Sequence, residues 1–74
     1  MTVPGRPLVA VVLNGEPALV APGCTLDDLI EVVGVERKGV AIALDGEVVP
    51  RSRWQGTVVP PGGRIEIVTA AAGG

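Results

Sequence analysis

Histidine, phenylalanine and tyrosine are missing from this 74-residue sequence, and cysteine, tryptophan and methionine occur once each. Each absence excludes something. Without histidine, the usual general base at neutral pH is gone. The lone Cys24 has no intrachain disulfide partner, and with no histidine beside it a zinc site lacks its ligands. One aromatic residue makes no platform for stacking single-stranded nucleic acid. Basic charge is also thin. Arg6, Arg37, Lys38, Arg51, Arg53 and Arg64 are scattered among eight acidic residues, for a net charge of −2. A nucleic-acid partner needs a concentrated basic surface. The apolar run from Leu8 to Leu13 stops at Asn14-Gly15-Glu16, far short of the ~20 residues of a membrane span. The same interruption argues against a secretory signal. A free thiol fits a reducing compartment, so the expectation is a cytoplasmic protein with no nucleic-acid and no membrane partner.

What is present is aliphatic: 47% of the residues are hydrophobic, mostly Val, Leu, Ile and Ala. A chain of this length buries only about 60% of its unfolded surface. One domain is therefore expected, held by aliphatic packing alone.

Residues 1–7, with two prolines and a glycine, read as a flexible lead-in to a domain over 8–69. Leu8 to Leu13 is a short, β-branched, continuous apolar run, the pattern of a central strand buried on both faces. Asn14-Gly15 favours a type I′ turn, and Ala18-Leu19-Val20 returns from it, with Pro17 tolerable only near the strand's start or at an edge. Thr25 and Asp28 form a capping-box pair at a helix start. Asp27 and Asp28 place negative charge in its first turn. Leu26, Leu29, Ile30 and Val33 make one apolar stripe, and Gly34 is the stop. Val40–Leu44, the Asp45-Gly46 turn and Val48-Val49 make a second hairpin. Pro50 ends it before an irregular Arg51-Ser52-Arg53-Trp54 connection. Thr57–Val59 adds a short extended piece, and Arg64–Thr69 alternates polar and apolar like a strand with one face on a core. The order ββαββ plus a closing strand implies an α+β, β-grasp fold: a mixed sheet with one helix across one face. Residues 70–74, Ala-Ala-Ala-Gly-Gly, carry no side chain large enough to anchor them and read as a flexible tail.

The body offers little chemistry of its own. Its carboxylates sit at turns, at the helix start and at alternating strand positions, where capping and solvation explain them. Cys24 lies just before a helix start, a place that lowers a thiol pKa, but no base accompanies it and a buried, inert thiol is the better reading. Pro60-Pro61-Gly62-Gly63-Arg64 leads into a strand and lacks the Gly-Lys-Ser/Thr of a phosphate loop, so it reads as a turn. Trp54 is expected in or beside the core. No catalytic residue and no metal ligand is assigned. Attention passes to Gly73 and Gly74. A segment without side chains enters a narrow channel and adopts backbone angles denied to other residues. It can deliver a carboxylate into another protein's active site.

From Leu8 onward the sequence resembles the ThiS family of sulfur carriers. The likeness is carried by Asn14-Gly15-Glu16-Pro17, Thr25–Leu29, Gly39–Leu44, Asp45–Trp54 (close to the family's NGEVVPRSxW stretch), Arg64–Val68 and Gly73-Gly74. It departs at Gly63, where the family often has aspartate, and in a longer lead-in. The resemblance implies a β-grasp protein that is not an enzyme and binds no cofactor. Its Gly74 carboxylate would be adenylated by a ThiF-like adenylyltransferase using ATP. A sulfur donor protein or sulfide would then convert it to a thiocarboxylate. A ThiG-like thiazole synthase would take that sulfur for the thiazole of thiamin. Gly73 and Gly74 would enter the partner active sites. Two alternatives share the tail: a MoaD-like carrier serving molybdopterin synthesis, and a ubiquitin-like protein modifier.

Overall fold

The computed structural model describes residues 7–69. All of the expected lead-in but Pro7 lies outside the described residues, as does the whole tail with Gly73 and Gly74. Five strands, one α-helix and one 3-10 helix follow in the order β1 (Val9–Leu13), β2 (Glu16–Val20), α1 (Leu26–Val33), β3 (Val40–Leu44), β4 (Glu47–Val49), the 3-10 helix (Arg51–Gly56) and β5 (Arg64–Thr69).

Both hairpins turn as their dipeptides require. Asn14 and Gly15 have φ of 50° and 82°, and Asp45 and Gly46 have 51° and 88°. Positive φ at both central residues matches the twist of the flanking strands. The capping box at α1 is complete: the Thr25 hydroxyl accepts from the Asp28 amide at 3.0 Å, and the Asp28 carboxylate accepts from the Thr25 amide at 3.1 Å. Gly34 closes the helix in the left-handed conformation, its N–H donating to the Ile30 carbonyl. A bidentate ion pair then ties the following loop back to the first turn. Arg37 donates from Nε and Nη2 to Asp27 at 2.8 and 3.2 Å. That contact draws the Asp27 carboxyl below its ordinary pKa and raises that of Arg37.

The sheet order is β2-β1-β5-β3-β4. β5 runs parallel to β1 (Val12↔Arg64, Leu13↔Ile65) and antiparallel to β3 (Ile42↔Ile67, Leu44↔Ile65). The helix covers one face, where Leu26, Leu29 and Ile30 join Val11, Ile42 and Ile65 in the core. The mixed sheet with one helix on it is the expected β-grasp arrangement. Pro17 lies on β2, an edge strand, where its missing N–H costs the ladder least.

Three local expectations change. β1 is bonded on both sides yet covered on one face only: Val11 is buried while Ala10 is exposed. The middle strand is β5, because β1 spends one edge on β2. The helical stripe is narrower than its spacing suggests, since Val33 in the last turn is 41% exposed. An eight-residue helix overhangs the small core at its end. Finally, residues 51–56 are a 3-10 helix rather than an irregular link. Trp54 supplies the reason. Its ring is 1% exposed, and its Nε1–H donates to the Val49 carbonyl at 2.9 Å. A buried indole with its one donor satisfied fixes the segment around it.

The extended piece at 57–59 ties the helix start to this segment. Leu26 N–H donates to the Thr57 carbonyl and Val59 N–H to the Cys24 carbonyl, at 2.9 and 2.8 Å, flanking a Thr25↔Val58 bridge. One of the orphan amides at the helix start thereby finds a partner. Trp54→Ala should remove about 3–5 kcal/mol, a large share of the roughly 5–15 kcal/mol available to a domain. Urea denaturation followed by circular dichroism checks this; a midpoint close to wild type would show that the ring adds little.

Candidate functional site

The tail expected to carry the chemistry lies outside the described residues, so its setting is built from the strand that leads to it. Along β5, backbone groups alternate between neighbours. Arg64 faces β3, where its carbonyl accepts from Asp45 N–H at 2.8 Å and its N–H donates to the Asp45 carboxylate at 2.9 Å. Gly63 and Ile65 face β1, their carbonyls accepting from Val12 and Asn14 at 2.9 and 2.8 Å. β1 then turns away into the Asn14-Gly15 hairpin. The Asn14 side chain replaces the missing strand for one further bond: its Oδ1 accepts from Ile67 N–H at 2.8 Å. Past that point β5 is paired with β3 alone, through Val68↔Ala41 and Thr69↔Val40.

Asn14 therefore does two things, and only one was legible. The Asn-Gly pair announces the turn, but the bond to Ile67 spans residues far apart in sequence and depends on where β1 ends beside β5. The face of the sheet away from the helix adds a second feature. The register puts Val68 and Ala41 side by side there, with Ala43 and Val48 in the adjoining row. Val68 and Val48 are 61% and 72% exposed. Val68 and Ala41 lie past Arg64 and Glu66 toward the end of β5, while Ala43 and Val48 share a row with Glu66. A readable signal existed: Val68 is apolar at a position where the alternation Arg64-Ile65-Glu66-Ile67 calls for a polar residue.

At the opposite end of β5, Pro60-Pro61-Gly62-Gly63 is a turn, as expected. Gly62 has φ of 75°, and Gly63 N–H donates to the Pro60 carbonyl at 2.9 Å. A Cβ on Gly63 would sit 2.9 Å from that carbonyl oxygen. The departure from the family's frequent aspartate thus goes with a turn that leaves no room for a side chain.

The remaining candidates are inert. Cys24 is buried, and its thiol points at the Thr25 carbonyl at 3.4 Å. Burial, and then the nearby Asp28 charge, push its pKa up. The lowering expected of a helix start does not prevail. Surface depressions such as the one lined by Asp45, Arg64 and Glu66 are open and shallow. Among the described residues no group of three or more Cys, Asp or Glu is placed to hold a metal ion. None of their helices is long and apolar enough to cross a membrane.

A five-stranded mixed sheet grasping one helix, with the chain leaving from its middle strand, defines a ubiquitin-like β-grasp protein. Comparison narrows the class. The ThiS family model matches residues 6–74. The sulfur carrier protein ThiS of Escherichia coli K12 is 30% identical over 64 residues, which cover 86% of this chain and 97% of that protein. The solved structure of the thiamine biosynthesis protein ThiS from Geobacter metallireducens superposes with a TM-score of 0.77 at 28% identity, covering 89% of this chain and all of that one. A thiazole synthase from Paramagnetospirillum magneticum matches at 33% identity over 64 residues, a fifth of its own length. The chain belongs to the ThiS family, the sulfur carriers of thiamin biosynthesis.

The Asn14 contact gives a test of the site's frame. Asn14→Gly keeps a residue suited to positive φ while deleting the bond to Ile67. It should cost about 1 kcal/mol and speed hydrogen exchange at the Ile67 amide relative to Ile65. Unchanged exchange at Ile67 would show that the side chain does not hold the strand.

Proposed function

We propose that this protein carries sulfur on the Gly74 carboxylate, as a co-substrate of partner enzymes rather than as an enzyme. One observation bears most of the weight: the family match runs through residue 74, onto a body whose described residues supply no nucleophile, base or metal site. A carboxylate is a poor acyl donor because its leaving group would be oxide. Adenylation supplies a better one. The Gly74 carboxylate oxygen attacks the α-phosphorus of ATP and expels pyrophosphate, and the acyl-adenylate then has AMP as its leaving group. Hydrosulfide adds to the acyl carbon and displaces AMP; a donor protein's persulfide adds in the same way but gives an acyl disulfide, whose S–S bond a second thiol must cleave, forming a disulfide. Loss of a proton leaves the thiocarboxylate. With hydrosulfide no oxidation state changes. The sulfur is then nucleophilic and available to a thiazole-forming enzyme.

The thiazole synthase from Paramagnetospirillum magneticum contains a stretch resembling this chain. That supports a thiazole synthase as recipient, in preference to a molybdopterin synthase or to lysine side chains on modified proteins. The activating partner is a ThiF-like adenylyltransferase. Residues 70–74 have methyl or hydrogen side chains, so they fit a narrow channel, with Gly73 and Gly74 at its end. A protein loaded with the cell's ATP and keeping a free thiol belongs in the cytoplasm.

Incubation with ATP, the adenylyltransferase and sulfide should exchange one oxygen for one sulfur at Gly74, read by intact-mass and fragment analysis. Deleting Gly74 should abolish the exchange. An unchanged mass with an adenylyltransferase that loads its own cognate carrier would refute the reading. Cys24→Ser should load at a rate near wild type in the same assay. Loss of loading in a folded Cys24→Ser protein would make the thiol a participant.

A further inference from the structure

Beyond Ile67, the edge of β5 that faced β1 has no strand beside it among the described residues. The alternation described above assigns its groups. Ile65 and Ile67 present their backbone to the β1 side, and so does Thr69, while Arg64, Glu66 and Val68 face β3. Ile65 carbonyl is taken by Asn14 N–H and Ile67 N–H by Asn14 Oδ1. Ile67 C=O and Thr69 N–H come next, and neither has a hydrogen-bond partner among the described residues. Ile67 is half-buried and Val68 and Thr69 are exposed, so among the described residues nothing covers this stretch of the edge. A middle strand thus becomes an edge strand where it approaches the tail.

We infer that this half-strand, Ile67–Thr69, is a strand-addition site for an extended segment of the enzyme that adenylates the tail. The proposal rests on the sulfur-carrier reading and names a part of the surface that the tail chemistry leaves open. The choice of occupant follows from chemistry. Residues 70–74 offer an enzyme only methyl groups and hydrogens, so recognition next to the tail has to use main-chain groups. Strand addition reads main-chain groups, with flanking side chains giving specificity. Val68 stands beside the edge as an exposed apolar contact. A second copy of the chain is the poorer occupant, since one donor and one acceptor are too short a ladder for a stable dimer. The Asn14-Gly15 turn blocks the edge on the near side, so the segment has one register open to it.

Thr69→Pro removes the donor while leaving the β3 ladder intact, because Thr69 N–H points away from β3. Steady-state pyrophosphate exchange with the adenylyltransferase should show KM for the carrier raised about tenfold or more, with kcat moved much less. Semisynthetic protein with the Thr69 amide replaced by an ester should behave likewise, without any constraint on φ. In wild type, the Thr69 amide should exchange rapidly in the free protein and slowly in the complex. An unchanged KM for the ester variant, or a Thr69 amide that exchanges equally fast in the complex, overturns the edge while leaving the carrier reading intact. Wild type that is not adenylated at all overturns both. A dimer of the free protein that dissociates in the ester variant would assign the edge to a second copy and likewise overturn the proposal.

Discussion

Everything in this fold depends on β5 finding its place between β1 and β3. Each hairpin is a local unit that forms across a two-residue turn, and neither is bonded to the other. β5 joins them, parallel to one and antiparallel to the other, and Ile65 near its start is fully buried. Its pairing with β1 closes the chain from Val12 to Arg64 into a loop, whose entropy must be offset by contacts made only then. The strand that completes the sheet also leads to the tail. Stability and presentation of the working end are therefore set by one element.

The core achieves this without staples. Among the described residues its buried side chains are aliphatic apart from Cys24 and the indole of Trp54, and no buried side-chain polar atom of theirs is left unsatisfied. Trp54 matters beyond its area. It converts a link after β4 into a 3-10 helix against α1, and the chain that follows pairs with the start of that helix. The Asp27–Arg37 contact is partly exposed and screened, so it steers the loop after α1 more than it stabilises the domain.

A body with so little chemistry suits a carrier. In the proposed carrier role, catalytic groups would belong to the proteins that grip this one. Two exposed features lie on this part of the sheet: the apolar strip of Val68, Ala41 and Val48, and the β5 edge past Ile67, which has no partner among the described residues. The Asn14 side chain separates what the sheet uses from what remains open to a partner.

The local elements were legible in the sequence because short-range physics fixes them. Asn14-Gly15 and Asp45-Gly46 specify turns through backbone angles, Thr25 and Asp28 specify a helix start through orphan amides, and Gly34 specifies its end. The family was legible in Asp45–Trp54 and Gly73-Gly74, and the ThiS family model matches residues 6–74. The structure corrected what depends on neighbours. An apolar run made β1 look buried on both faces, but burial is decided by what covers a strand, and the single helix covers one side. Trp54 read as a core residue, yet only packing shows that it winds residues 51–56 into a helix. Cys24 stood at a helix start, and burial outweighed that location. Most of all, a sequence can name Asn14 as a turn residue but cannot show where β1 ends beside β5. That offset leaves Ile67 C=O and Thr69 N–H without a partner among the described residues, and it exists only once strands distant in sequence are brought into register.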